Sequence, residues 1–226
     1  MSPMDAASVE RVLSECERDA TPDLGRLGFW KAVAAVKRDR ALVDRYADRI
    51  AQIDRAAFER IVRIRVPLAV GVAIDLLGAI VGIALLAGSP TFLAPWRELV
   101  FLAGFGALLI VTHTLSHWIV GTLVGIRFTQ AFMVPPKKPQ PGFKIDYASY
   151  LRTPARARAW MHAAGAIVTK VLPFALVPFA LRAGLETWAV GLLLVIGVLQ
   201  ILTDVLWSVR ASDWKKFRRE MRAARG

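Results

Sequence analysis

The sequence has little cysteine and little histidine, and it carries no motif typical of nucleic-acid binding. A single cysteine, Cys16, excludes an internal disulfide and suits a reducing cytoplasmic face. Three histidines are too few for the His-rich clusters of membrane di-iron enzymes. The formal charge is +12. Without a nucleic-acid motif, we expect this positive charge to face anionic lipid.

Long apolar stretches are the main feature of the chain. Hydrophobic residues make up 55% of its 226 residues, and the mean hydropathy is +0.44, which is too apolar for an ordinary soluble core. A helix needs about twenty apolar residues to cross a hydrocarbon core roughly 30 Å thick. Four stretches have this length: 66–87, 99–121, 160–181 and 187–209. The sequence therefore predicts a four-helix transmembrane bundle.

The basic residues are divided unequally between the two sides of the predicted bundle. Of 30 Lys and Arg residues, 13 precede Val66, 7 lie from Arg127 to Arg158, and 7 follow Val209. The loops on the opposite side contain two, Arg97 and Arg182. The positive-inside rule then predicts a multi-pass protein of the plasma (cytoplasmic) membrane with both termini in the cytoplasm.

Outside the spans, the sequence predicts three cytoplasmic parts of an all-α membrane protein. Residues 1–65 repeat apolar side chains at helical spacing among many charges, which is typical of an amphipathic helical segment. In the loop 127–159, aromatic and β-branched residues flank a proline-rich stretch, and this pattern predicts a small β-hairpin. Residues 210–226 form a basic tail.

Polar side chains inside a bilayer are costly, so each one is a candidate functional residue. The predicted spans contain Asp75, His113, His117, His162, Thr169, Lys170, Gln200 and Asp204. Asp75 is interpreted either as an ion-pair partner of Lys170 or as a catalytic carboxylate. His162 is either an interfacial residue or a reserve ligand and proton shuttle.

The strongest pattern among these residues is a histidine pair with an aspartate. His113 and His117 stand four apart, which puts both imidazoles on one helix face where they can share a metal. Asp204 shares a stripe with Gln200 in the last span, at a depth similar to that of His117. The sequence thus predicts a zinc site of His113, His117 and Asp204 with an open fourth position. The alternative is hydrogen bonding by the histidines and an ion pair between Asp204 and Lys170.

The run 113–128 resembles the zinc-binding helix of the site-2 protease family of intramembrane metalloproteases, which has the motif HExxH. The family's third ligand is an Asp in a later span, which corresponds to Asp204. Its membrane-associated hairpin, which receives an extended substrate, is similar to the loop after the motif. The segment 164–169 is similar, more weakly, to a Gly-containing motif. The likeness covers 99–208, about half of the chain, and implies zinc as cofactor and a transmembrane protein as substrate.

The sequence departs from this family at the catalytic base. Thr114 stands where the family has the Glu that takes a proton from the zinc-bound water, and a threonine hydroxyl cannot do so near neutral pH. The Asp-Gly pair is also missing, since Val205 follows Asp204. No periplasmic recognition domain is evident.

Three functions therefore stay open. The first is a metalloprotease that hydrolyses a peptide bond in a membrane-embedded substrate. The second is a catalytically inactive homologue that acts as a membrane scaffold or regulator. The third is a membrane protein that holds haem between two histidines or handles a metal. We expect membrane lipid and a transmembrane protein as partners, and we expect no nucleic acid. The oligomeric state is not predicted.

Overall fold

A computed structural model describes residues 4–19, 23–134, 138–206 and 212–224. The helices are α1 (Ala6–Arg18), α2 (Phe29–Val36), α3 (Arg40–Ile61), α4 (Leu68–Gly88), α5 (Trp96–Leu123), α6 (Tyr147–Arg152), α7 (Ala155–Arg182), α8 (Thr187–Leu206) and α9 (Asp213–Ala223). The strands are β1 (Ile64–Pro67), β2 (Phe128–Val134) and β3 (Lys138–Ile145). The chain divides into two compact units, one of 1–68, 121–158 and 220–226, the other of 69–120 and 159–219.

Four helices are long and apolar enough to cross a membrane, namely α4 extended to Thr91, α5, α7, and α8 up to Asp204. Large apolar side chains on these helices face outward, as Ile80 does with 63% of its surface exposed. Such surfaces are expected where lipid covers them. The prediction of four helices of spanning length and composition is confirmed, and the predicted span residues 207–209 lie outside the described residues.

Helices α4 and α5 contact each other through glycines. A Cβ atom on Gly82 would lie 2.8 Å from Cγ of Leu108, and one on Gly104 would lie 2.8 Å from the carbonyl oxygen of Gly82. Neither position has room for a side chain. Small residues at such crossings let helix backbones approach closely, which is how helices associate when lipid removes the hydrophobic driving force between them.

The predicted amphipathic segment forms three helices around an apolar core. Leu13 of α1, Phe29 of α2 and Ile50 of α3 are fully buried in this core. Each such side chain contributes roughly 1.5–3 kcal/mol through burial. Asp39 begins α3 by accepting hydrogen bonds from the backbone N–H groups of its first turn, at 2.8 and 3.4 Å. The predicted amphipathic helical segment is therefore a packed domain of three helices.

The predicted hairpin in the central loop is present and carries an additional strand. β2 pairs with β3 antiparallel, with Ala131 opposite Phe143, and the order of the sheet is β1-β2-β3. β1 was not predicted, because Val66 and Pro67 continue the apolar run of the first span and were assigned to it. A strand of four residues has too few positions for an alternating pattern to stand out. The hairpin tip, 135–137, lies outside the described residues.

A buried ion cluster surrounds Glu220 within the unit of 1–68, 121–158 and 220–226. The carboxylate of Glu220 is 1% exposed and accepts hydrogen bonds from Lys37 Nζ at 2.6 Å, Arg158 Nε at 2.7 Å and Tyr150 Oη at 3.1 Å. Burial raises the pKa of this carboxyl, but Lys37 and Arg158 outweigh it and lower the pKa to about 2. Glu220 is therefore ionised at neutral pH and fully partnered.

This low pKa predicts an acid-sensitive contribution to folding. Because the folded-state pKa lies below the ordinary value of 4.5, the stabilisation is complete above about pH 5 and is lost as the pH falls towards 2. Glu220→Gln should lower the free energy of unfolding by roughly 3–5 kcal/mol at pH 7, because Arg158 stays buried without a counter-charge. Denaturant unfolding in detergent at pH 7 and pH 3 measures both effects.

The exposed Glu59 provides the control for this prediction. Glu59→Gln removes the same charge from the same unit and should change stability by less than about 0.5 kcal/mol. Equal losses for the two variants, or a Glu220→Gln loss that does not shrink at pH 3, would contradict the assignment.

Candidate metal centre

Three ligand atoms lie at the corners of a nearly equilateral triangle. Nε2 of His117 lies 3.3 Å from Nε2 of His113 and 3.2 Å from Oδ2 of Asp213. Nε2 of His113 lies 3.3 Å from the same carboxylate oxygen. Among the described residues, no other three His, Cys, Asp or Glu side chains bring their ligand atoms within 4.8 Å of one another.

The imidazole of His117 is held in place by α7. Its Nδ1 lies 2.7 Å from the carbonyl oxygen of Met161. Gly165, one turn further on, lets α7 approach, because a Cβ atom there would lie 2.5 Å from Nε2 of His117 and 2.9 Å from the carbonyl oxygen of His113. The carbonyl of Met161 fixes which ring nitrogen of His117 faces the triangle.

Asp213 is the first residue of α9, and its two carboxylate oxygens have different partners. Oδ2 faces the two imidazoles, while Oδ1 accepts a hydrogen bond from Nζ of Lys216 at 2.9 Å. Burial opposes ionisation, but the adjacent imidazoles and Lys216 hold the pKa of Asp213 well below its usual range. The carboxylate is therefore charged at neutral pH and presents a single oxygen to the histidines.

The hydrogen bonding leaves a place for a proton or a metal ion between the ligand atoms. Nδ1 of His117 faces a carbonyl oxygen, which can only accept, so Nδ1 carries a proton. In a neutral imidazole, Nε2 then has a lone pair, and it faces a carboxylate oxygen at 3.2 Å. Two lone pairs at this distance repel unless a proton or a metal ion lies between them.

The size of the triangle fits zinc. In a tetrahedral site with zinc–ligand distances of about 2.0–2.1 Å, neighbouring ligand atoms lie about 3.3–3.4 Å apart. The three observed separations are 3.2–3.3 Å. Three protein ligands leave the fourth tetrahedral position for water or substrate, which is the arrangement of catalytic rather than structural zinc sites.

Comparison with models of protein families, with curated proteins and with solved structures finds no match for this chain. What the site can do must therefore be argued from its own residues.

The structure brings together two of the three predicted ligands and replaces the third. Oδ2 of Asp204 lies 2.5 Å from Nζ of Lys170, and within the described residues this pair does not join the histidine group. The alternative interpretation of Asp204 as the partner of Lys170 matches the structure. The positive charge of Lys170 beside this carboxylate makes the approach of a second cation less favourable.

The remaining candidates do not contribute ligand atoms to the triangle. Asp75 is 3% exposed on α4, and its Oδ2 has no hydrogen-bond partner among the described residues, so the proposed pair with Lys170 is not formed. Thr114 is buried on α5 and His162 on α7, and His162 does not belong to the metal-ligand group. Gln200 lies on α8, one turn before Asp204. A catalytic role for Asp75 stays a prediction.

Asp213 was missed because it lies outside every predicted span. Burial in a bilayer marks polar residues as candidates only up to 209, and the basic charge of 210–226 indicates a cytoplasmic tail. The sequence does contain a signal: Asp213-Trp214 begins an amphipathic helix, and aspartate in a first helical turn is typical of a helix start. Asp213 lies at the start of the helix that follows the last span, so its carboxylate can return to the depth of the histidines.

Proposed function

We propose that this is a multi-pass membrane protein that binds one zinc ion through His113, His117 and Asp213, in a centre that resembles that of the site-2 proteases. The observation that carries the proposal is the triangle of ligand atoms with sides of 3.2–3.3 Å. His117 lies six residues before the end of α5, about 9 Å along the helix axis. The excess of basic residues favours a cytoplasmic position for this end of α5.

When bound, zinc supplies a Lewis acid and a water of lowered pKa at the open position. The imidazoles of His113 and His117 and one carboxylate oxygen of Asp213 would hold the ion. Hydrolysis of a peptide bond also requires a group that takes the proton from that water. Thr114 cannot do this, and within the described residues no carboxylate other than Asp213 joins the metal-ligand group. We therefore propose that the protein is a catalytically inactive or very slow relative of such proteases that retains the metal.

The triangle favours zinc over haem. The two axial imidazoles of a haem iron approach from opposite faces of a porphyrin. The Nε2 atoms of His113 and His117 lie 3.3 Å apart on one helix, and both face Asp213, so a macrocycle has no room between them. The two imidazoles suit a borderline metal such as zinc, which also accepts a carboxylate oxygen as a ligand.

Metal analysis of the purified chain tests the proposal. Protein extracted in detergent should contain about one zinc per chain, and a strong chelator should remove it. Cobalt(II) added to the metal-free protein should give the intense visible absorption of a tetrahedral site. A preparation with no metal that also fails to bind added zinc or cobalt would overturn the proposal, and a Soret band would indicate haem instead.

A further inference from the structure

A second candidate site lies in the unit of 1–68, 121–158 and 220–226, outside the metal centre. A cavity of about 740 Å³ opens between α3, the connection from α5 to β2, and α6. Each of these three elements contributes one arginine to its wall: Arg55, Arg127 and Arg152. Two aspartates, Asp48 and Asp146, lie in the same wall. The cavity thus has three cationic and two anionic side chains.

The two aspartates are already engaged. Asp48 binds the guanidinium of Arg152 through both oxygens, at 2.7 and 3.0 Å. Asp146 lies 3.6 Å from Arg55, and its Oδ2 accepts a hydrogen bond from the backbone N–H of Ser149 at 3.1 Å. The guanidinium of Arg127 has no acceptor among the described residues. One positive charge of the wall therefore has no counter-charge.

The backbone holds Arg127 firmly in this position. Gly125 has a φ of +88°, and Ile126 N–H donates to the carbonyl of Gly121 at 2.8 Å, which is a glycine-terminated helix end. Arg127 N–H then donates to Oγ of Ser149 at 2.9 Å, and its carbonyl accepts from Asp146 N–H at 2.9 Å. The backbone of Arg127 is thus fixed beside the cavity, and its exposed guanidinium is available to bind an anion.

The wall also has apolar members, and the cavity begins where a span ends. Val124 and Phe128 line it next to the arginines. Leu123, the last residue of α5, is 80% exposed, as expected for an apolar side chain at the edge of the hydrocarbon core. A cavity of this size and mixed character, directly after a helix of spanning length, suits an amphiphile better than a small inorganic anion.

We propose that this cavity binds the phosphate of an anionic phospholipid, held by the guanidinium groups of Arg127 and Arg55, with the glycerol and upper acyl chain against Val124 and Phe128. The proposal does not depend on the metal centre. It assigns part of the basic surface of the chain to one defined lipid site. General attraction to an anionic leaflet would instead involve all exposed cations.

Calorimetric titration of the full chain in uncharged detergent tests the assignment. The probes are short-chain phosphatidylglycerol, short-chain phosphatidylcholine and inorganic phosphate. Phosphatidylglycerol should bind saturably at one site, and the other two should bind at least about tenfold more weakly. Arg127→Gln should weaken phosphatidylglycerol binding about tenfold or more, the loss expected for charge-assisted hydrogen bonds. Arg127→Lys should lie between the wild type and Arg127→Gln.

Arg63→Gln is the matched control, since Arg63 is exposed in the same unit and lies just before the first span. It should keep the affinity within about twofold. If Arg63→Gln and Arg127→Gln lose equal affinity for phosphatidylglycerol, the effect is general electrostatic attraction and the proposed site is wrong. Phosphate binding as tight as that of phosphatidylglycerol would overturn the lipid assignment. If Arg127→Gln unfolds, Arg55→Gln takes its place, and an unchanged affinity there would also overturn the proposal.

Discussion

Asp213→Asn should reduce zinc affinity by at least about 100-fold, whereas Asp204→Asn should leave zinc binding within a few-fold of the wild type. Asp213 presents Oδ2 to both imidazoles at 3.2 and 3.3 Å, and its loss removes one of three protein ligands. Loss of an outer-shell partner of a metal ligand typically costs 10–100-fold, and a direct ligand costs more. Competition with a chromophoric zinc chelator gives both affinities.

The two variants form a matched pair. Each removes one carboxylate charge and keeps the shape of the side chain, so a general effect of charge on zinc binding would appear in both. Asp204→Asn should instead lower thermal stability, because Lys170 loses a partner at 2.5 Å within an apolar helix pair. If Asp204→Asn abolishes zinc binding and Asp213→Asn does not, the third ligand is the one that the sequence predicted, and the geometric assignment is wrong.

The contrast between these residues shows what the sequence could predict of the site. His113 and His117 were predictable because helix periodicity alone places residues four apart on one face. The identity of the third ligand depends on which side chains meet after α8 ends and α9 begins, and no local pattern encodes that meeting. Asp204 has a suitable depth and residue type, but its carboxylate forms an ion pair with Lys170 on α7.

The fold was predictable to a similar degree and for a similar reason. Spans of about twenty apolar residues are a strong signal, because lipid leaves the backbone no alternative to internal hydrogen bonding. The core around Phe29 and Ile50 was harder to foresee, because packing between helices decides whether an amphipathic segment lies on a surface or folds on itself. β1 was hidden by the apolar run that continues into α4.

Thr114→Glu is the second variant with a large expected effect. It introduces the residue that the site-2 protease family carries next to its first histidine ligand, and a positioned general base typically contributes 10²–10⁴-fold to hydrolysis. We expect cleavage of a transmembrane reporter peptide to rise by about that factor over the wild type, with zinc still bound at one per chain. The assay follows product formation by mass spectrometry in detergent or in vesicles.

Thr114→Gln separates the base from the change in side-chain size. Gln has nearly the shape of Glu and cannot accept the proton, so Thr114→Gln should bind zinc without any gain in cleavage. Thr114→Glu combined with His117→Ala should lose both zinc and activity, because the base acts on water that the metal activates. If Thr114→Glu binds zinc and remains as inactive as Thr114→Gln, the ligands are held but water or substrate is not placed for attack. The centre would then bind the metal without catalysing hydrolysis, which agrees with the proposal of a catalytically inactive protein.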